Sequence, residues 1–406
     1  MSEVEATAAA PSPSPMRLAL SLAPGTLFAG IAGGIVFPIF PIVGLRVGLS
    51  TFFIGAILAA NRAVRVVCAP VVGVLVDRIG GRRTLLIGLA IQVAVIGLFI
   101  AGLELHHEGA GFLGGRLLHG LGSACVFVSA QALALQGSTT TNRGATASLV
   151  RTTMVIGIPI GFVLGGLLSE TIGVTGAFLF AGVSTVVALI AAAITVPDLK
   201  ATVAVRPSIG RVVAAARDLR LLAIGGLNFV LAFAGGGMVL TTLAFLVQDR
   251  GYTALGRNVE GTAGLLMGVM SIADGGLTPI AGRIGDRWRA HASVAAVSLV
   301  LIAGGLVWIA EASDVATTAM AIGVVGIGSA GLGPSVLVLL GDIIQPTERG
   351  LGAGLLQLCG DFGGMLGPLI GTSIFASSTE LPYLVTAGLV MAFVPVALWL
   401  RRVEKP

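Results

Sequence analysis

The sequence predicts an all-α membrane protein of twelve transmembrane helices, arranged as two pseudo-symmetric six-helix bundles. Composition is the first observation behind this. Of 406 residues, 55% are hydrophobic and 11% charged, with a mean hydropathy of +1.01; soluble domains carry about 25% charged residues. Second, uncharged runs of about 20 residues recur along the whole chain, each long enough to cross a bilayer as a helix that satisfies its own backbone. Third, a short polar stretch of the first half returns in the second: Gly73 and Asp77 recur as Gly282 and Asp286, an offset of 209.

Residues 1–16 are polar and rich in Ala, Pro and Ser, which predicts a disordered tail. The first apolar run is too long for a cleavable signal and lacks a cleavage pattern. Twelve spans follow, at 17–42, 50–76, 83–104, 109–135, 144–168, 171–196, 219–247, 260–283, 291–311, 315–343, 350–376 and 381–401. The first six form an N-terminal bundle, 17–196. Residues 197–218 form a linker with a basic stretch suited to the membrane surface, and 219–402 form the second bundle. Basic residues set the orientation. One side holds Arg17, Arg78, Arg82, Arg83, Arg143, Lys200, Arg206, Arg211, Arg217, Arg220, Arg283, Arg287, Arg289, Arg349, Arg401, Arg402 and Lys405; the other holds only Arg46, Arg250 and Arg257. Both termini are therefore expected in the cytoplasm, in a multi-pass protein of the cell (inner) membrane. A net charge of +5 held mostly in loops on one side is no nucleic-acid signal. Cys68, Cys125 and Cys359 fall inside apolar spans at unrelated positions and read as buried thiols.

The recurring stretch is Gly73-Val-Leu-Val-Asp77-Arg78-Ile-Gly80-Gly81-Arg82-Arg83, between the second and third spans. Asp77 falls at a helix C-terminus, where a carboxylate is disfavoured, so it needs another partner. Gly80 and Gly81 allow a tight reversal. The second copy is Gly282-Arg-Ile-Gly-Asp286-Arg287-Trp-Arg289, without the Gly-Arg-Arg tail. This pair resembles the loop signature of the major facilitator superfamily, found between helices 2 and 3 and again between helices 8 and 9. Other repeats agree. Arg143-Gly144 matches Arg349-Gly350, and Gly122-Ser123-Ala124 matches Gly328-Ser329-Ala330, both at an offset of 206. Gly30, Gly33 and Gly34 of helix 1 have a counterpart in Gly235-Gly236-Gly237 of helix 7. Glycine interruptions at matching positions point either to a central site and its gates or to close helix packing.

Ionisable groups at membrane depth are costly, so each faces the bundle interior with a partner or a task. Arg62, Arg65, Arg116 and Arg151 are such groups, as are Asp274 and Asp361. Arg65 stands 12 residues before Asp77, and Asp361 12 residues after Arg349, so both lie ~18 Å from the same side. In the superfamily's fold helix 2 faces helix 11 and helix 5 faces helix 8. The resemblance thus implies the pairs Arg65–Asp361 and Arg151–Asp274, either as structural bridges between the halves or with one aspartate titrating during transport. Gln357 is the repeat equivalent of Arg151.

Arg116-Leu-Leu-His119-Gly120-Leu-Gly122-Ser123-Ala124 resembles the helix 4 signature of proton-linked members, in which the arginine is associated with proton transfer. His119, one turn from Arg116 on the same face, reads either as an interior histidine or as a proton carrier. Gly157-Ile-Pro159-Ile-Gly161-Phe-Val-Leu-Gly165-Gly166 and Gly367-Pro368-Leu-Ile-Gly371 partly resemble the antiporter signature, and also suit close packing. Asn61, His119, Gln131, Asn228 and Gln357 are the polar candidates for a central cavity. Gly73, Asp77, Arg78, Gly81, Arg82, Gly282, Asp286 and Arg287 are the candidates for gating.

The resemblance implies a secondary active transporter working by alternating access: a proton-coupled exporter of small organic molecules, or alternatively an organic-anion symporter or uniporter. Its partners are the substrate, protons and the bilayer, and it acts as a monomer. No metal-protease, phosphate-loop or nucleophile-elbow pattern is present, so neither an enzyme, a cofactor nor a metal is expected. Gly326-Ile-Gly328-Ser-Ala-Gly331 spells a dinucleotide fingerprint but lies inside a span with no preceding strand, so it reads as packing. Four buried arginines against two aspartates favour neutral or anionic substrates.

Overall fold

The computed structural model describes residues 15–136, 143–198, 217–344 and 349–402, and the side chains of 15, 16, 19, 135, 136, 143–155, 349 and 350 lie outside that description. The described residues form twelve long helices and no strand. They are α1 (Pro15–Arg46), α2 (Thr51–Ile79), α3 (Gly81–Glu104), α4 (Glu108–Gln136), α5 (Arg143–Thr171) and α6 (Gly173–Thr195), then α7 (Leu219–Asp249), α8 (Val259–Trp288), α9 (His291–Glu311), α10 (Val315–Ile343), α11 (Arg349–Phe375) and α12 (Leu381–Leu400). Eleven of them are long and apolar enough to cross a membrane on their described residues; α5 is the remaining one, counted only from Ile156. The expected spans and these helices agree to within a few residues at nearly every end, and α8 runs five residues past the expected 283.

Short polar segments start the helices where capping chemistry allows. The Ser50 and Asn258 side chains accept from Phe53 N (3.2 Å) and Gly261 N (2.8 Å). Asp314 closes a capping box with Thr317, and the backbone amides of Thr317 and Ala316 hold its carboxyl below the usual range. The α2–α3 connection is shorter than expected. Helix runs through Ile79 and resumes at Gly81, so Gly80 alone reverses the chain at φ 89, a conformation that suits glycine.

Each half has its own core. The N-terminal one centres on Phe40, Phe99, Phe112 and Phe178, from α1, α3, α4 and α6, with ring centroids 4.5–6.3 Å apart. The C-terminal core draws on α7 to α12 and includes the fully buried Tyr383, hydrogen-bonded to Thr242. In each half a glycine pair brings two helices into close contact. A Cβ on Gly34 of α1 would lie 2.9 Å from the Gly161 Cα of α5; a Cβ on Gly237 of α7 would lie 2.9 Å from the Gly367 Cα of α11. The antiporter-like glycines are thus placed as packing surfaces, which lets backbones approach in lipid. Around Gly235–Gly237, residues Ala232–Val239 widen into a π-helix within α7.

Contacts between the halves are uneven along the membrane normal. On the side away from Gly80, α2 meets α11 where a Gly55 Cβ would lie 2.8 Å from the Pro368 carbonyl. There α5 also meets α8, where a Gly166 Cβ would lie 3.0 Å from the Gly261 Cα. Two ion pairs cross the same rim, Arg46–Glu260 at 2.6 Å and Arg257–Glu170 at 3.6 Å. On the Gly80 side, Gly73 of α2, Gly275, Gly276 and Gly282 of α8 and Gly354 of α11 face open space, with nothing within 4 Å of an added Cβ. Among the described residues the halves are closed on the side away from Gly80 and parted on the Gly80 side.

Candidate functional site

The centre of the molecule is a charge cluster across the α2–α11 interface. Helical spacing sets it up: Arg62 and Arg65 lie one turn apart on α2, and Gln357 and Asp361 one turn apart on α11. Arg65 Nε donates to Asp361 Oδ2 at 2.9 Å and its Nη2 bonds Oδ1; Arg62 Nη1 donates to Oδ1 at 2.9 Å; Gln357 Nε2 donates to Oδ2 at 3.2 Å. Side-chain exposure is 4% for Asp361 and 7% for Arg65, against 31% for Arg62. The Arg65 guanidinium also lies over the Phe127 ring at 4.9 Å. Removing one partner from a buried pair of this kind costs about 3–5 kcal/mol.

Arg116 and His119 of α4 lie behind this cluster. Arg116 is 2% exposed. It donates to the Leu58 carbonyl at 3.1 Å and faces the Phe37 ring at 5.6 Å, while its Nε has no hydrogen-bond partner. The His119 Nδ1 is 3.2 Å from the Asn61 amide nitrogen. Arg116, His119, Gln92 and Thr185 line a small cavity inside the N-terminal bundle, with room for about one water. Three guanidiniums, Arg62, Arg65 and Arg116, thus stand near one another, and two of them, Arg62 and Arg65, hold the Asp361 carboxylate.

Other expected site residues are placed apart. Asp274 of α8 is half-buried where that helix packs on α10, its backbone nitrogen 3.3 Å from a Cβ added at Gly326. The side chain of Arg151, its expected partner, lies outside the described residues. Asn228 Nδ2 donates to the Leu356 carbonyl at 2.7 Å, tying α7 to α11. Gln131 is exposed.

In the recurring stretch, Gly81 packs on Leu133, and Arg82 donates to the Ala193 carbonyl at 2.6 Å; Arg78 is exposed. Asp77 makes no hydrogen bond or ion pair with a described residue. The partner expected for it at the cytoplasmic end of helix 11, near residues 346–350, or on a loop arginine, falls largely on residues 345–348, which lie outside the description. In the second copy, His291 Nε2 lies 2.9 Å from Asp286, while Arg287 is exposed. Cys125 is buried, but Cys68, packed beside Cys125, and Cys359, facing Gly225 of α7, are only half-buried; all three are free thiols.

The rim pairs Arg46–Glu260 and Glu170–Arg257 were not singled out by sequence. Glu260 is 1% exposed, yet it falls in the first turn of α8, where an acidic residue is favourable anyway. Its helix position conceals a bond to the other half. Among the described residues no group of three or more His, Cys, Asp or Glu could hold a metal.

Two six-helix bundles, closed together on one side and parted on the other around a buried charge cluster, form the architecture of a membrane transporter. The chain belongs to the Major Facilitator Superfamily, whose sequence profile matches residues 22–259 and 227–406. It is similar to the multi-drug resistance efflux pump PmrA homolog of Lactococcus lactis subsp. lactis (strain IL1403), with 24% identity over 372 residues, 86% of each chain. In structure it resembles the human organic anion transporter MFSD10 (TETRAN), with a TM-score of 0.71 at 18% identity, covering 95% of this chain and 100% of that one.

Proposed function

We propose that this transporter exports a small organic molecule in exchange for protons, with Asp361 as the coupling carboxylate. The observation that carries the reading is the Arg62–Asp361–Arg65 cluster, which bridges the two halves at the level where they begin to part. Two arginines and Gln357 hold one carboxylate across the interface, so a proton on Asp361 removes the charge that binds α2 to α11. Rocking the halves then exchanges arginine contact for water, and Asp361 can release the proton on the other side. Distant similarity to an efflux pump supports export.

By the basic-residue asymmetry the Gly80 side and both termini are cytoplasmic, in the cell (inner) membrane, and the parted halves open inward. The chain acts as a monomer, with residues 17–196 and 219–402 as its moving bodies. Arg151 and Asp274 bridge α5 and α8 in at least one conformation. A second reading, uptake of an organic anion by symport or uniport, is favoured by the surplus of central arginines and by the structural resemblance to a human organic anion transporter.

The test is transport into proteoliposomes under an imposed pH gradient. Asp361→Asn is expected to abolish proton-driven substrate movement while ligand-induced thermal stabilisation persists, and Asp361→Glu to retain part of the transport. Full proton-driven transport by Asp361→Asn would end the coupling assignment. The direction of substrate movement under that gradient separates export from uptake.

A further inference from the structure

We propose that Arg62 is the docking cation for the anionic head of an amphipathic organic substrate, and that Arg65 is the standing partner of Asp361. The inference rests on the transport role of the central cluster and assigns its two arginines different tasks. Arg65 engages both carboxylate oxygens, is 7% exposed, and is backed by Phe127. With Gln357 on Oδ2, Asp361 is satisfied without Arg62. Arg62 contributes one bond, to an oxygen that Arg65 already holds, and is 31% exposed. A guanidinium has five N–H donors, so most of those on Arg62 remain open to a ligand.

Charge points the same way. One carboxylate cannot neutralise Arg62, Arg65 and Arg116 together, so the centre carries surplus positive charge. On the Gly80 side of the cluster the two helices that carry it are apolar: α2 has no charged residue from Val66 to Val76, and α11 none from Leu351 to Gly360. A partly exposed guanidinium flanked by apolar helix segments fits a carboxylate or sulfonate on an apolar body. Arg binds such heads through two parallel N–H bonds, and the surplus charge disfavours cations. When the head group binds, Arg62 gives up its single bond to Asp361, and Arg65 and Gln357 keep the carboxylate in place.

The test measures thermal stabilisation of the purified full chain in detergent by 2-naphthoate, 2-naphthalenesulfonate, 2-naphthamide and 2-naphthylmethylammonium, with sodium acetate and phosphate as head-group controls. The two aryl anions are expected to stabilise the wild type, and the amide, the ammonium and the simple anions to do so at least tenfold less effectively. Arg62→Gln should lose about tenfold in aryl-anion affinity, since a hydrogen bond to a charged group supplies about one power of ten. Arg62→Lys should lose less. Each variant's own unfolding curve reports whether it folds, and the lysine variant keeps the test open if the glutamine one does not. Equal stabilisation by amide and anion overturns the assignment, as does stabilisation by acetate or phosphate matching that of the aryl anions. Unchanged aryl-anion affinity in Arg62→Gln or absence of any aryl-anion binding overturns it too. Those results leave proton-driven transport and its loss in Asp361→Asn untouched, so the two readings fail separately.

Discussion

The Arg46–Glu260 pair predicts an asymmetric response to mutation. Glu260 is 1% exposed, its Oε2 has no hydrogen-bond partner, and Arg46 lies 2.6 Å from its other oxygen. Arg46→Ala leaves a buried carboxylate without its counter-charge, but only while the rim is closed; once the halves part there, water solvates it. Breaking a buried pair costs about 3–5 kcal/mol and an exposed one about 0.2–1 kcal/mol. Arg46 is 55% exposed, so an intermediate cost of about 1–2 kcal/mol applies. That converts to about a 5–30-fold shift toward the conformation open on that side. Glu260→Gln behaves differently, because it removes the buried charge and leaves a half-exposed arginine that water already solvates. The expected shift is under about threefold, and the double variant should behave like Glu260→Gln alone. The assay is the rate at which Ser169→Cys, buried near the rim, reacts with a membrane-impermeant maleimide, the native cysteines being replaced by serine. Equal acceleration by the two single variants would refute the desolvation argument.

Two further outcomes are expected in thermal unfolding. Arg250 donates to the carbonyls of Ile309 (3.3 Å), Ala310 (2.7 Å) and Ala312 at the C-terminal end of α9; Arg250→Ala should cost about 2–3 kcal/mol, and Arg250→Lys should recover less than half, because lysine lacks the planar fork. Gly161→Ala places a methyl 2.8 Å from the Gly34 Cα and should cost about 1–3 kcal/mol, whereas Gly33→Ala enters open space and should be neutral or stabilising.

The fold was legible because a bilayer makes sequence unusually explicit. Backbone groups in lipid must bond within their own helix, so an apolar run and its end predict the element without knowledge of its neighbours. The α9 and α10 spans therefore coincide with the helices found, and the repeat of Gly73 and Asp77 as Gly282 and Asp286 announced two halves. Buried charges were equally visible, since an arginine or aspartate inside an apolar run is costly and needs a reason. Arg65 and Asp361 could be set at one depth by counting helical rise from a common side. Pairing them needed the resemblance to a known helix arrangement.

Tertiary structure alone decided the rest. Two arginines share Asp361, and only packing sets their exposure at 31% and 7%; sequence spacing places both on one face and cannot rank them. The rim pairs join residues far apart in the chain, and Glu260 looked like an ordinary first-turn acid. The π-helix of α7 and the glycine contacts of α1 with α5 and α7 with α11 depend on how closely two backbones approach. The closed and parted sides are a relation between bundles. A sequence specifies each helix through local backbone bonding and burial, but the relative position of the halves depends on a few cross-interface contacts, which alternating access requires to be weak enough to exchange.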